Sequence, residues 1–500
     1  MIRTTGPSCT RRQLLTGAGA LLLLTGCTGV PSTGTPARPV AFDAPLAIPP
    51  LAPSHVGPDG TRVFELTAQK GSTAFRPGVQ SATWGFNGAF LGPTLRAERG
   101  EQVAVAVSNA LDEPTTLHWH GMRLPAAMDG GPHQEVAPGR TWRPTWRIDQ
   151  PAATLWYHPH PHGRTEEHVY RGLAGLFLVD DPADAHGLPS AYGVDDIPVI
   201  VQDKQFDDDG QLTLDSNRAE PGLLGSTVMA NGTVGAYLDV TTERVRLRLL
   251  NASTARTYDV GFDDDRPFHL VATDGGLLAE PYGTTRVRLS PAERAEVVVA
   301  LVPGEHLMLR SFPPNLGDVA SSTAFGGTDT FDVLQLRAAP ALRSSPPVPA
   351  ALADIDRLRE ADATVVREFA LASRLINGAR MDMDRIDEVV TAGATEIWQV
   401  HSIDRLPHNF HIHDVQFQVL SIDGAPPSPE LGGRKDTVYL EPGRTYRLIM
   451  RFSDHTDPKN PYMYHCHLLR HEDEGLMGQF VVVDRDSPRP TASDVATHRH

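Results

Sequence analysis

The sequence predicts an all-β protein made of three consecutive sandwich-type domains, and three observations carry that expectation. The chain has 500 residues, 40% of them hydrophobic; at about 150 residues per domain this is room for roughly three packed cores. Its 44 glycines and 42 prolines suit a chain of short strands that turns often. Runs of β-branched and aromatic residues bounded by Gly, Pro and Asp recur from residue 46 onward.

Residues 1–27 read as an export signal. Arg11-Arg12 precede an apolar run from Leu14 to Leu24 that is too short to span a bilayer comfortably, and the paired arginines point to the twin-arginine route. Leu24-Thr25-Gly26-Cys27 resembles a bacterial lipobox, in which Cys27 becomes the lipidated first residue; the alternative is an ordinary signal peptide cut nearby. Residues 28–45, rich in Pro, Thr and Gly, read as a flexible tether. The first β block, 46–181, holds WGFNGAFLGPTLRAERG, the alternating VAVAVSNAL and GLAGLFLVDD. The second, 182–340, opens on a polar connection and continues with IPVIVQD, VRLRLLNAS, TRVRLS and RAEVVVAL. Residues 341–362, proline-rich and then charged, read as an interdomain linker with some helix. The third block is 363–484, and 485–500 is expected to be a disordered tail. No segment after the leader is long and apolar enough for a membrane-spanning helix.

A formal net charge of −16 argues against a nucleic-acid partner, which normally demands a basic patch. The three cysteines are Cys9, Cys27 and Cys466. Two fall in the leader, so the third has no partner for an internal disulfide and is free to bind metal.

Its context makes that reading specific. In an extended segment side chains alternate faces, so Cys466 points one way while His465 and His467 point the other. His471 lies five residues on, close enough to share the metal of Cys466. One thiolate with two imidazoles is the donor set of a blue-copper electron-transfer centre, and the bonds from Cys466 to its neighbours form a covalent route for electrons to the opposite face. Ten of the 21 histidines fall in four clusters: His118 and His120; His158 and His160; His408, His411 and His413; and His465, His467 and His471. One H-x-H pair is weak evidence. Four pairs, one flanking the only downstream cysteine, supply eight same-face imidazoles, enough for three metal ions at an interface of the first and third blocks. Structural zinc does not need paired doublets of this kind.

The segments LHWHG, WYHPHPHG, LPHNFHIH and MYHCHLLRHEDEGLM resemble, in order and spacing, the four copper-binding motifs of the multicopper oxidases. The likeness is greatest to bacterial three-domain laccases and the periplasmic cuprous oxidase of copper efflux. FLGPTLRAERG, DQPAATLWYHPHPHG, ATDGGLLAEP and GRKDTVYLEPG extend it over nearly the whole chain after the leader. The resemblance implies cupredoxin-like Greek-key sandwiches and four copper ions. His408, Cys466 and His471 would hold type 1 copper, and His118 and His411 type 2. His120, His158, His160, His413, His465 and His467 would hold the type 3 pair. Electrons would enter singly at type 1 and leave by reducing dioxygen to water.

The family's axial methionine, ten residues after the cysteine, falls here on Leu476, and Met477 comes one residue later. A shift of one turns a side chain to the other face, so a three-coordinate type 1 site with a non-ligating Leu476 is expected; the competing reading has a local bulge that returns Met477 to the metal. Asp129 and Glu472 align with family carboxylates that lead protons to the oxygen cluster. Asp404 lies where cuprous oxidases keep a carboxylate near the substrate, able to accept a proton from a phenol or to orient His408. A soft Cu(I) site would want thioether sulfur, yet Met381 and Met383 are the only methionines between Met308 and Met450, and both read as packing residues on a strand. Trp119 and Trp156 are expected to pack against the ligand imidazoles. His162 and His168 read as surface groups, Asp207–Asp209 and Asp263–Asp265 as solvated turns, and the middle block as a spacer without ligands.

The expected activity is laccase-like, oxidising phenol-like one-electron donors with dioxygen. The rivals are a cuprous or other metal-ion oxidase, and a non-enzymatic copper-holding or structural member of the fold. The expected partners are dioxygen and a small aromatic or metal-ion donor, with no nucleic acid. The protein is expected outside the cytoplasm, touching a membrane only through a lipid on Cys27.

Overall fold

The computed structural model describes residues 40–183, 187–214, 220–452 and 454–486, with the backbone of residues 498 and 499. The export signal, Cys27, most of the tether and most of the tail lie outside these residues. Among the described residues no helix is long and apolar enough to cross a membrane.

Alternation of side chains builds the sheets. In Gln102–Asn109 the valines 103, 105 and 107 are fully buried, as a half-buried strand requires. Among the described residues six sheets of four or more strands result, and each of three apolar cores draws on two of them. The protein is therefore three consecutive all-β sandwiches. Their strand pairs mix local hairpins with distant parallel partners, such as Arg62–Arg76 beside Gln102–Asn109 and Glu388–Thr391 beside Met477–Val483.

The strands that carry histidines break the alternation in a telling way. Every residue of His118–His120, Ala153–His158 and His408–Ile412 is buried. In Ala153–His158, Ala153, Leu155 and Tyr157 enter the first core, while Trp156 and His158 face away from it toward other domains. These strands have two covered faces because the first and third sandwiches dock on each other and on the middle one, where Trp156 packs against Ile200 and Leu250 and Asn409 donates to the Pro291 carbonyl. Ala126 of the first domain is embedded in the third core, and Tyr462 donates its hydroxyl hydrogen bond to the Leu124 carbonyl (2.6 Å). Asp473 accepts from the backbone N–H groups of Thr165 and Glu166 at 2.8 and 2.9 Å, joining the helix Thr165–Arg171 to the helix Leu469–Asp473.

Several connecting segments are more ordered than their composition suggests. Ala44–Pro45 runs parallel to Ala236–Tyr237 of the middle sandwich, and Leu46 joins the middle core. The strand Phe331–Arg343 continues past Pro340. The following connection packs Leu352 on the middle core and reaches the third sandwich through a single 3-10 turn, Glu360–Asp362. At the far end, residues 498 and 499 run parallel to Gln134–Glu135.

Candidate copper centre

Cross-strand register gathers the histidines first within each domain. His118 lies opposite His158 in the first sandwich, and His411 opposite His465 in the third. Docking then brings the two sets together. The His118 ring stacks on His413 with centroids 3.8 Å apart, and His120 stacks on His411 at the same separation. All eight rings are buried. Three groups of donor atoms, His118/His120/His158, His118/His411/His413 and His160/His413/His465, each lie within 4.8 Å. The ends of the chain thus meet as the H-x-H pattern requires.

Hydrogen bonds on the outer side of the rings decide which nitrogen faces inward. His118 Nδ1 donates to the Asp129 carbonyl (3.0 Å) and His411 Nδ1 to the Asp436 carbonyl (2.8 Å). Their Nε2 atoms are therefore lone pairs, and both are buried without a hydrogen-bond partner. His413 Nδ1 donates to the Asp129 carboxylate (2.7 Å) and His465 Nδ1 to the Cys466 carbonyl (3.2 Å), with the Glu472 carboxylate 3.1 Å away. Their Nε2 lone pairs consequently face one another at 3.3 Å, and His160 Nε2 lies 3.2 Å from His465 Nε2. Converging lone pairs repel unless a cation sits among them, and a buried acceptor left alone is costly. The donor set fits clustered metal ions. Burial, and then the neighbouring imidazoles, hold His120, His411 and His413 well below the ordinary histidine pKa, and burial first brings His160 down to about 3. Neutral rings are the ligating form.

On the other side of the strand, Cys466, His408 and His471 form the second donor set. Cys466 Sγ lies 3.6 Å from His471 Nδ1, which lies 3.1 Å from His408 Nδ1. The outer nitrogens are again tied down: His408 Nε2 to Asp404 (3.1 Å) and His471 Nε2 to the Glu220 carbonyl (3.0 Å). Burial pushes the Cys466 thiol up to about 12, so a thiolate here needs a bound cation. Leu476 is fully buried beside Cys466 in the third core, and its carbonyl accepts from Cys466 N–H (3.1 Å). Met477 pairs in register with His465, which sets it on the opposite face from Cys466.

Each predicted carboxylate touches an imidazole. Asp129 and Glu472 are both buried; Glu472 lies between His160 Nδ1 (3.3 Å) and His465 Nδ1 (3.1 Å). Burial alone would raise its carboxyl, but the two imidazoles bring it down to about 2. Asp404 orients His408 and is itself held by the N–H groups of Ser373 and Leu406. Trp156 stacks on His158 (4.1 Å) as expected, but Trp119 does not support the histidines. It packs with Trp146 and Phe177 in the first core, because the residue between two same-face histidines must face away. His162 is exposed. His168 is not: it is fully buried, against Glu113 (2.8 Å), Thr115 (3.1 Å) and the Trp84 ring. Met381 and Met383 lie outside any strand.

Asp436 and Arg294 are functional residues that the sequence reading did not single out. Asp436 accepts from His120 Nε2 at 3.0 Å, so this ring turns Nδ1 inward by a carboxylate on its far nitrogen, as His408 does at the thiolate site with Asp404. Arg294 reaches Asp436 from the middle sandwich, which is thus more than a spacer. The segments ATDGGLLAEP and GRKDTVYLEPG contain part of this network, but no local pattern marks it.

A histidine cage fed by a Cys-His₂ site across three β-sandwiches defines a copper protein of the oxidase type. Family models described as multicopper oxidase match residues 67–184 and 346–486, and the chain belongs to the multicopper oxidase family. It is 35% identical to the multicopper oxidase mco of Staphylococcus haemolyticus over 445 residues, 88% of this chain and 92% of that one. It is also 35% identical to the cell division protein FtsP of Dickeya dadantii over 486 residues, 95% and 98% of the two chains. Among solved structures, the bacterial laccase-like multi-copper oxidase CueO of Ochrobactrum sp. is 36% identical, with a TM-score of 0.81 over 88% of this chain and all of the other.

Proposed function

We propose that the protein is a laccase-like oxidase that couples one-electron oxidation of phenolic or similar donors to reduction of dioxygen to water, using four copper ions. The observation that carries this reading is the donor set: seven cluster histidines in groups of donor atoms within 4.8 Å and a separate Cys-His₂ site, with His467 Nε2 3.4 Å from His158 Nε2 as the eighth, joined by the covalent path Cys466–His465 and Cys466–His467. Bound copper would supply one-electron exchange at Cys466 with His408 and His471, and four-electron reduction of dioxygen at the eight histidines.

The protein supplies everything around that chemistry. Outer hydrogen bonds fix the tautomer and angle of His118, His120, His158, His411, His413 and His465, and of His408 and His471 at the thiolate site, as metal-ligating histidines generally require. Asp129 at His413 Nδ1 and Glu472 at His465 Nδ1 can hold and pass protons next to the cluster. Asp404 holds His408 Nε2 at the edge of the thiolate site and, being about a quarter exposed, can take a proton from a phenolic donor. The phenolic reading draws support from the Ochrobactrum protein, which has oxidase activity towards lignin model compounds. Oxidation of Cu(I) or another metal ion, for copper tolerance, is the second reading, and the carboxylate of Asp404 beside His408 is what favours it. The FtsP likeness offers a non-enzymatic reading, against which the intact donor set argues. Activity is placed outside the cytoplasm, on the strength of the leader.

The deciding experiment is metal analysis and visible spectroscopy of the protein purified with copper, followed by oxygen uptake with a phenol and with Cu(I). About four coppers per chain, a blue chromophore and faster turnover of the phenol are expected. Faster uptake with Cu(I) transfers the reading to metal-ion oxidation, and no uptake by fully loaded protein leaves the non-enzymatic one.

A further inference from the structure

We infer that Arg294 is a positioning residue of the oxygen cluster: by clamping Asp436 it fixes which nitrogen His120 turns toward the metals. The inference rests on the copper reading above and adds the middle domain to the centre. Arg294 begins the strand Arg294–Ala300 and is fully buried. Its guanidinium meets the Asp436 carboxylate in the two-pronged geometry that only arginine offers, at 2.7 and 2.6 Å. Its remaining bonds go to the carbonyls of Thr154 (3.0 Å), Asp274 (2.9 Å) and Ala292 (3.1 Å). One side chain thus ties together all three sandwiches.

The clamp acts on two imidazoles. Asp436 Oδ1 accepts from His120 Nε2 (3.0 Å) and from the Thr437 hydroxyl (2.9 Å), while the Asp436 carbonyl accepts from His411 Nδ1 (2.8 Å). With Nε2 protonated, His120 can offer only Nδ1, and that atom lies 3.4 Å from His158 Nε2. Rotation or loss of the Asp436 carboxylate would free the other tautomer, whose lone pair points away from the cluster.

Gly121 supplies independent support. It follows His120 at φ +82°, and a Cβ there would fall 2.6 Å from Asp436 Oδ2 and 2.7 Å from Arg294 Nη2. The backbone next to the ligand is kept bare where the ion pair passes. Charge agrees as well. Lys435 pairs with Asp274 (2.9 Å) and Glu293 (3.1 Å), so three carboxylates face two cations, leaving one negative charge beside a site for metal cations.

The test compares Arg294→Met, the double variant Arg294→Met with Asp436→Asn, and Arg294→Lys. An amide at 436 can still accept from His120 Nε2 and does not need a guanidinium. Copper per chain, the blue absorption and the electron paramagnetic resonance signal of the non-blue copper are measured, with nitrogen NMR of histidine tautomers in copper-free protein. Arg294→Met is expected to keep the blue absorption, lose at least one copper per chain and shift the His120 tautomer; the double variant is expected to regain both. Arg294→Lys, which keeps the charge but not the fork, is expected to change the non-blue signal, and it carries the test if Arg294→Met does not fold. Full copper with an unchanged signal in Arg294→Met, or in Arg294→Lys where it stands in, overturns the inference. So do equal deficits in the single and double variants, which would mark lost packing. A parent protein without clustered copper overturns the functional reading itself, and this inference with it.

Discussion

Leu476→Met should lower the reduction potential of the thiolate copper site. Leu476 lies on the Cys466 side of its segment: its N–H donates to the His471 carbonyl (2.9 Å) and its carbonyl accepts from Cys466 (3.1 Å). Leucine and methionine have nearly equal volume, and such exchanges in a packed core cost under about 1.5 kcal/mol, so the variant folds. Its sulfur would then stand in the core beside Cys466, where it could offer a bound copper ion a weak soft donor that leucine cannot. A thioether there stabilises the oxidised ion more than the reduced one. If that preference matches one weak polar interaction, about 1.5 kcal/mol, it is roughly tenfold in binding ratio, or a fall of about 60 mV for one electron. Redox titration of the blue absorption in parent and variant measures it. An unchanged or higher potential would refute the three-coordinate assignment. The companion change Met477→Leu should leave the potential where it is, since Met477 pairs with His465; a rise on that change would place Met477 on the metal instead.

Asp129→Asn keeps an acceptor for His413 Nδ1 and the backbone carbonyl that holds His118, so copper content and blue absorption should persist while turnover falls roughly 10²-fold, the lower range for a lost proton-transfer group; an equal loss of the blue band contradicts the relay. Cys466→Ser should abolish the blue absorption and donor oxidation yet retain copper at the eight histidines, checked by metal analysis; retained blue colour would disprove the thiolate assignment. Lys204 offers a pH test remote from the copper. Its ammonium is fully buried, and burial brings its pKa from 10.5 down to about 7. Between those values the unfolded chain binds the extra proton, so the parent gains stability as pH rises from about 7 toward 10.5. The penalty at pH 7 is about 4 kcal/mol, offset by the Lys204 hydrogen bond to the Tyr170 carbonyl (2.6 Å), worth roughly 1–3 kcal/mol once that acceptor is stranded. Lys204→Met should therefore be more stable at pH 7 by roughly 1–3 kcal/mol, with the advantage shrinking toward pH 10 in denaturant titrations. An advantage independent of pH refutes the buried neutral lysine.

Legibility in the sequence followed the range of the interaction. The H-x-H pairs and the cysteine between two histidines are readable because strand geometry converts a spacing of two into a shared face, and the structure keeps that parity even where the strand ends, as at His158 and His465. The same parity rule would have sent Trp119 into the core and kept Trp156 on the histidine face. His168 looked like a surface group because its partners, Glu113 and Thr115, lie more than fifty residues earlier. Asp436 and Arg294 were illegible for the same reason on a larger scale, being 142 residues apart, with His120 a further domain away.

The long-range contacts also share a logic that no short motif can express. Asp129 of the first sandwich holds His413 of the third, Asp436 of the third holds His120 of the first, and the Glu472 carboxylate of the third lies 3.3 Å from His160 Nδ1 of the first. Each domain orients the imidazoles of the other. A metal site built this way does not exist in either domain alone, because each domain supplies only four of the eight imidazoles and two of them, His120 and His413, find their carboxylate acceptor in the other. Docking and ligand geometry are therefore one equilibrium, and any ion that binds the assembled cage must stabilise the interface by the free energy of its own binding. Arg294 extends that coupling to the middle sandwich. It explains physically why a domain that contributes no ligand atom can still govern whether the ligands point the right way.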